Sequence, residues 1–239
     1  MIRIVAAIAA SAALTALAAP ASAVDRRFPV TDFDRVIVEG PYRVHLVTGR
    51  ASSAVASGTR EAIDRVTVDV QGQTLRIRRN RNAWGASQNA APGPLDIELA
   101  TRNLRSVRLI GPTQVEVQGG SGLNVDFSVE GSGLLKATGV QADNLSLGLL
   151  GSGRIEIAGT ARRLRADFQG AGDVAGQALV VAQEATIATT TAGTVALTVN
   201  GPVTVNANGL GAVAIFGRPT CTVRGTGEAE VRCPASDQR

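Results

Sequence analysis

The chain has 239 residues, 44% of them hydrophobic, 18% charged and only 3% aromatic, with 27 glycines and a formal net charge of +4. A single histidine removes most Ser-His-Asp, Cys-His and histidine–metal designs, and so few aromatics exclude a core built on large rings. The positive charge is almost all arginine, Lys136 being the only lysine; it is a weak pointer to an anionic partner, and no nucleic-acid partner is expected.

At the N-terminus, Arg3 precedes an apolar, Ala-rich run from Ile4 to Ala19. Pro20 breaks the run, and Ala21-Ser22-Ala23 forms an A-x-A cleavage site. Residues 1–23 are therefore predicted to be a secretory signal. The mature chain is expected to be exported, periplasmic or associated with the cell surface, and without a transmembrane segment. Residues 24–30 read as a linker, 31–233 as one domain and 234–239 as a tail.

Within 31–110 the pattern is loose. Val36, Val38, Gly40, Val44 and Leu46 alternate around a glycine. Val68, Val70, Gly72, Leu75 and Ile77 repeat this one residue short. We read both as irregular opening coils of the architecture that follows.

From 111 to 233 the repeat is regular. Gly-x-Gly returns at 131, 151, 170, 209 and 225, with a Gly-Pro-Thr version at 111 and a weaker copy at Thr191. Four residues after each start lie Val115, Leu135, Ile155, Val174, Val195, Val213 and Ala229. Six after lie Val117, Ala137, Ile157, Gly176, Leu197, Ile215 and Val231. The preceding flank alternates too, through Val107, Phe127, Leu147 and Ala166, and then Leu109, Val129, Leu149 and Phe168. Period-two alternation marks strands with one buried face. A unit of about twenty residues cannot bury its own stripe, so copies must stack. The fold class predicted is all-β, a right-handed parallel β-helix with Gly-x-Gly corners. One glycine role expected there is a positive φ; the other is close stacking of backbones.

Cys221 and Cys233 lie symmetrically about Gly227 at the end of the repeats. An even cysteine count in an exported chain predicts a disulfide between them.

Candidate chemistry is sparse. His45 lies between inward Val44 and Leu46 and is expected to point into solvent. Asp143, Asp167 and Asp173 fall at different repeat positions, so no acid–base pair is expected. Gly170-Ala171-Gly172-Asp173 resembles a calcium nonapeptide but occurs once and lacks the nine-residue period. No catalytic, metal or cofactor residue is assigned. The candidate ligand contacts are Arg76, Arg78, Arg79 and Arg81 with Trp84, a basic cluster running into a polar loop at 80–94. Arg162, Arg163 and Arg165 read as a solvated turn.

The run Phe33-Asp34-Arg35-Val36-Ile37-Val38-Glu39-Gly40-Pro41, the Gly-Ser-Gly units at 131 and 151, and the closing Gly217-Arg218-Pro219 together resemble the putative auto-transporter adhesin, head GIN domain family. The resemblance covers about residues 31–233. It implies a β-helix of the cell envelope without established catalysis. The Gly-Ser-Gly-Asp form common in that family is absent here, Asp following only at Asp173.

The function expected is a non-enzymatic binding or scaffolding module, adhesin-like, with an envelope glycan, lipid or protein as partner. The alternative is a polysaccharide-active enzyme with a site on an outer sheet face.

Overall fold

The computed structural model describes residues 24–80, 95–225 and 228–234. The signal segment, Arg81, Trp84 and Gly227 lie outside the described residues. Parallel strands stack into a β-solenoid, and alternation along each strand decides which side chains enter it. One inward row runs Ile97, Val44, Val115, Leu135, Ile155, Val174, Val195, Val213, Val231, each pairing with the next. The opposite side carries a second row that includes Val36, Val107, Phe127, Leu147, Ala166, Ile187 and Val205. Together they form one continuous core cluster. Burying each branched side chain contributes roughly 1.5–3 kcal/mol, so stability is spread along the stack.

The middle coils are the longest. β10 (Ser121–Gly131), β11 (Leu134–Gly151), β12 (Arg154–Gly170) and β13 (Asp173–Thr191) each bend around corners without leaving the ladder. The first glycine of a Gly-x-Gly takes the positive φ: +104° at Gly131, +120° at Gly151 and +112° at Gly170. The second has ordinary φ but no room. A Cβ on Gly153 would lie 2.6 Å from the Gly133 carbonyl oxygen and 2.7 Å from Val129. Both expected glycine roles are present, and Gly151 and Gly170 combine them.

The solenoid then tightens. β14 (Thr194–Val199), β15 (Pro202–Ala207), β16 (Ala212–Gly217), β17 (Thr220–Arg224) and β18 (Glu230–Arg232) complete it. Val195 pairs with Val213 and Val213 with Val231, a repeat of 18 residues. This corrects the sequence register at the end. Val231, not Ala229, continues the row of Val213, so the closing Gly-x-Gly is displaced by two residues.

The opening coils also depart from expectation. β2 (Arg35–Glu39) pairs with β6 (Thr74–Arg79) on one edge and β8 (Ser106–Ile110) on the other. β3 (Arg43–Thr48) lies likewise between β7 (Asp96–Thr101) and β9 (Gln114–Gln118). Stack order therefore differs from chain order. The cause is local. β5 (Val66–Gln71) and β6 form an antiparallel hairpin, Val68 opposite Ile77, around a two-residue turn with Gly72 at φ +62°. The glycine that mimicked a solenoid corner reverses the chain instead. β4 (Ser53–Gly58) runs antiparallel to β7 and to β1 (Val24–Phe28), which occupies the segment expected as a linker. Helix α1 (Arg60–Asp64) is capped by Thr59, whose Oγ1 accepts from Ala62 N at 3.2 Å, and buries Ala62 and Ile63.

Cys221 and Cys233 form the expected disulfide, with Cα atoms 6.6 Å apart and a sequence separation of 12. A loop this size contributes about 3 kcal/mol in the chain-entropy model. Reduction is expected to lower the melting temperature of residues 24–239, read by circular dichroism with and without reductant. Identical melting curves would show that the bond contributes nothing.

Candidate ligand-binding cleft

The outward rows of the solenoid carry charged side chains, several of them in ion pairs between neighbouring coils. Glu98, His45, Glu116, Lys136 and Glu156 follow one another across the strands. Glu116 meets His45 Nδ1 and Lys136 Nζ, each at 3.3 Å. His45 points outward, as expected, and is half exposed to solvent. Arg108 pairs with Glu130 one coil on. Exposed pairs like these contribute little each.

The three aspartates considered for catalysis remain apart. Asp143 meets Arg162 at 3.7 Å and Asp167 accepts from Gln169 at 3.0 Å. Asp173 ties coils together, accepting from Thr194 N at 2.9 Å, from Thr194 Oγ1 at 2.7 Å and from Arg154 at 3.2 Å. Those bonds, led by the Thr194 amide, hold its carboxyl below the ordinary range. Among the described residues no group of three or more His, Cys, Asp or Glu is placed to hold a metal ion. Arg162, Arg163 and Arg165, read as a turn, lie within strand β12.

Arg76, Arg78 and Arg79 of the basic cluster read from the sequence lie on β6, and the first two stand in ion pairs. Arg76 faces Glu39 at 3.9 Å and Arg78 faces Asp69 at 3.6 Å. Arg79 is exposed beside Tyr42, whose hydroxyl is pushed above its usual pKa by burial against the opposing pull of Arg79. Arg81 and Trp84 fall outside the described residues.

A concave feature lies where the N-terminal cap meets the first long coil. A cleft of about 560 Å³ is lined by residues from five separate segments. Asp32, Phe33 and Asp34 lead into β2; Ser52 precedes β4; Gln73 sits in the hairpin turn; Thr101 to Arg105 link β7 to β8; and Ser121 to Asn124 open β10. Backbone bonds fix its walls. Gln73 O accepts from Asp34 N at 3.0 Å, and Asp34 O accepts from Arg105 N at 2.7 Å. The Thr101 hydroxyl donates to Phe33 O.

Its side chains form two oppositely charged couples. Arg102 meets Asp32 at 3.5 Å, and Ser52 Oγ donates to Asp32 at 2.8 Å. Arg105 meets Asp34 at 3.0 Å. Asp34 is 9% exposed, and its Oδ1 is shielded and accepts no hydrogen bond, Arg35 Nε standing 3.8 Å away. Asp32 and Arg102 are well exposed and keep spare acceptors and donors toward the opening. Leu123, 71% exposed, gives the rim an aliphatic surface. The cleft can thus offer paired donors and acceptors without net charge. Sequence reasoning did not single out these residues. Asp32-x-Asp34 and Arg102-x-x-Arg105 are short polar runs at strand ends, and only the out-of-order stacking of the opening coils joins them.

The family described as putative auto-transporter adhesin, head GIN domain, matches residues 32–219. No curated protein matches the chain. Among solved structures, a putative adhesin from Bacteroides fragilis superposes with a TM-score of 0.79 at 15% identity, covering 88% of this chain and 96% of its own. A putative lipid binding protein from Parabacteroides distasonis gives 0.68 at 19% identity, covering 90% and 98%. A putative adhesin from Parabacteroides merdae gives 0.62 at 15% identity, covering 89% and 96%. At these identities the likeness establishes a shared fold.

Proposed function

The chain belongs to the putative auto-transporter adhesin, head GIN domain family, and from that premise we propose that it is a non-catalytic binding module of the bacterial cell envelope, seating a neutral glycan in the cleft at Asp32, Asp34, Arg102 and Arg105. The disulfide supports an oxidising compartment outside the cytoplasm. Among the described residues no helix is long and apolar enough to cross a membrane.

The observation that carries the reading is the charge balance among the ionised side chains that line the cleft. Two carboxylates and two guanidinium groups cancel, which disfavours strongly charged ligands. The remaining donors and acceptors of Asp32, Arg102 and Arg105, with those of Ser52, Asn103 and Asn124, suit a polyhydroxylated chain. The volume lies within the range of small-ligand sites. A relative bears the name of a lipid binding protein. Apolar surface, including Phe33 and Leu123, also lines the cleft, but an acyl chain buried against Asp32, Asp34, Arg102 and Arg105 would leave charged groups unpaired.

Residues 24–239 applied to an array of neutral and acidic bacterial glycans should retain neutral ones. Asp32→Ala and Arg102→Ala should each weaken that binding by about tenfold or more, since a hydrogen bond to a charged group contributes roughly 1.5–3 kcal/mol. Both positions are exposed, so the melting temperature should hardly move. An array without retained glycans, or binding indifferent to both substitutions, would remove the cleft from consideration.

A further inference from the structure

The two ends of the solenoid are finished differently. At the N-terminal end β1, β4 and β5 run antiparallel, and α1 buries Ala62 and Ile63. At the C-terminal end, among the described residues, β17 pairs only with β15 and β18 only with β16. Each of these last strands keeps one open edge. Val223 shows what is missing there. It pairs with Val205, which is fully buried, and occupies the same inward row, yet it is 51% exposed. An inward valine half in water on an unpaired edge is a feature that folded proteins cover.

We infer that this end is covered by the same end of a second copy of the chain, related by a two-fold axis perpendicular to the solenoid. The disulfide ties the two sides of the last coil at Cys221 and Cys233. Two residues further along from Cys221, and two back from Cys233, stand Val223 and Val231, both in inward rows. An axis through these valines lays each edge strand antiparallel to its own copy. Val223 then meets the partner's Val223, and Val231 meets the partner's Val231, so the core continues across the junction.

The charge pattern suits that axis. Glu230 and Arg232 flank Val231 on the outward face and are well exposed, with Arg232 Nε donating to Glu230 at 2.8 Å. In the antiparallel register Glu230 lies opposite the partner's Arg232, and Arg232 opposite the partner's Glu230. Opposite charges directly across a strand pair favour it, and like charges oppose it. Head-to-tail stacking would set β17 and β18 against β1 and β5, which run antiparallel to their neighbours, so the parallel ladder would not continue across that junction. The assembly is therefore a closed pair and not a filament.

Sedimentation velocity over a concentration series of residues 24–239 tests this. A reversible dimer is expected. Glu230→Arg sets like charges across the junction twice and should give monomers, as should Val223→Lys. Adding Arg232→Glu to Glu230→Arg restores opposite charges and should restore the dimer. Circular dichroism checks that every variant is folded. A wild-type monomer at all concentrations overturns the proposal, as does a dimer that survives both single substitutions. So does a chain ended at residue 234 that dimerises when the longer one does not, since residues 235–239 would then be what covers the end.

Discussion

Ile155→Asp is expected to unfold the protein or to lower its melting temperature sharply. Ile155 is 0% exposed and sits mid-stack between Leu135 and Val174. Losing its burial removes roughly 1.5–3 kcal/mol, and an unpaired carboxylate in the same place adds a cost of several more. The sum approaches the whole stability of an ordinary domain, about 5–15 kcal/mol. Glu156→Ala, one residue on and facing outward, should change little. Thermal melts of both variants decide the matter. Equal losses would mean that the inward register is misassigned.

Gly151→Ala is expected to be nearly as damaging, although it adds only a methyl group. Gly151 combines φ +120° with a place where a Cβ would lie 2.6 Å from the Gly131 carbonyl oxygen. The backbone conformation costs a side chain about 1–3 kcal/mol, and crowding the stacked coil costs a similar amount again. Gly131 cannot yield easily, because it is backbone inside a ladder. Gly49→Ala is the control: φ is +81°, but a Cβ there meets nothing within 4 Å. It should lose only the conformational part. Comparable losses at both positions would show that the coils are not tightly stacked at the corner.

The regular part of the fold was legible in the sequence because period-two alternation and glycine corners recur together. Leu135, Ile155 and Val174 could be aligned by eye, and they stack in the structure. Legibility failed where one residue type serves two geometries. Gly72 looks like a corner and makes a hairpin, since nothing in Val68 to Ile77 states whether the next strand runs parallel or antiparallel. At the other end the coil shortens to 18 residues, which moved Val231 into the row of Val213. The cleft was hidden for a different reason. Asp34 and Arg105 are brought together by an insertion of one coil between two later ones. The arginines that did stand out, Arg76 and Arg78, were conspicuous in sequence because their acidic partners lie on neighbouring strands.

Binding without turnover is tested most directly by what happens to the sugar. Purified residues 24–239 are incubated with neutral glycans retained on the array and with acidic polysaccharides, with and without calcium, and the products are read by mass spectrometry. The account predicts intact glycans, with no new reducing ends and no unsaturated sugars. Cleavage that survives repurification and is lost in an Asp143→Ala, Asp167→Ala or Asp173→Ala variant would contradict it and make the protein a polysaccharide-active enzyme.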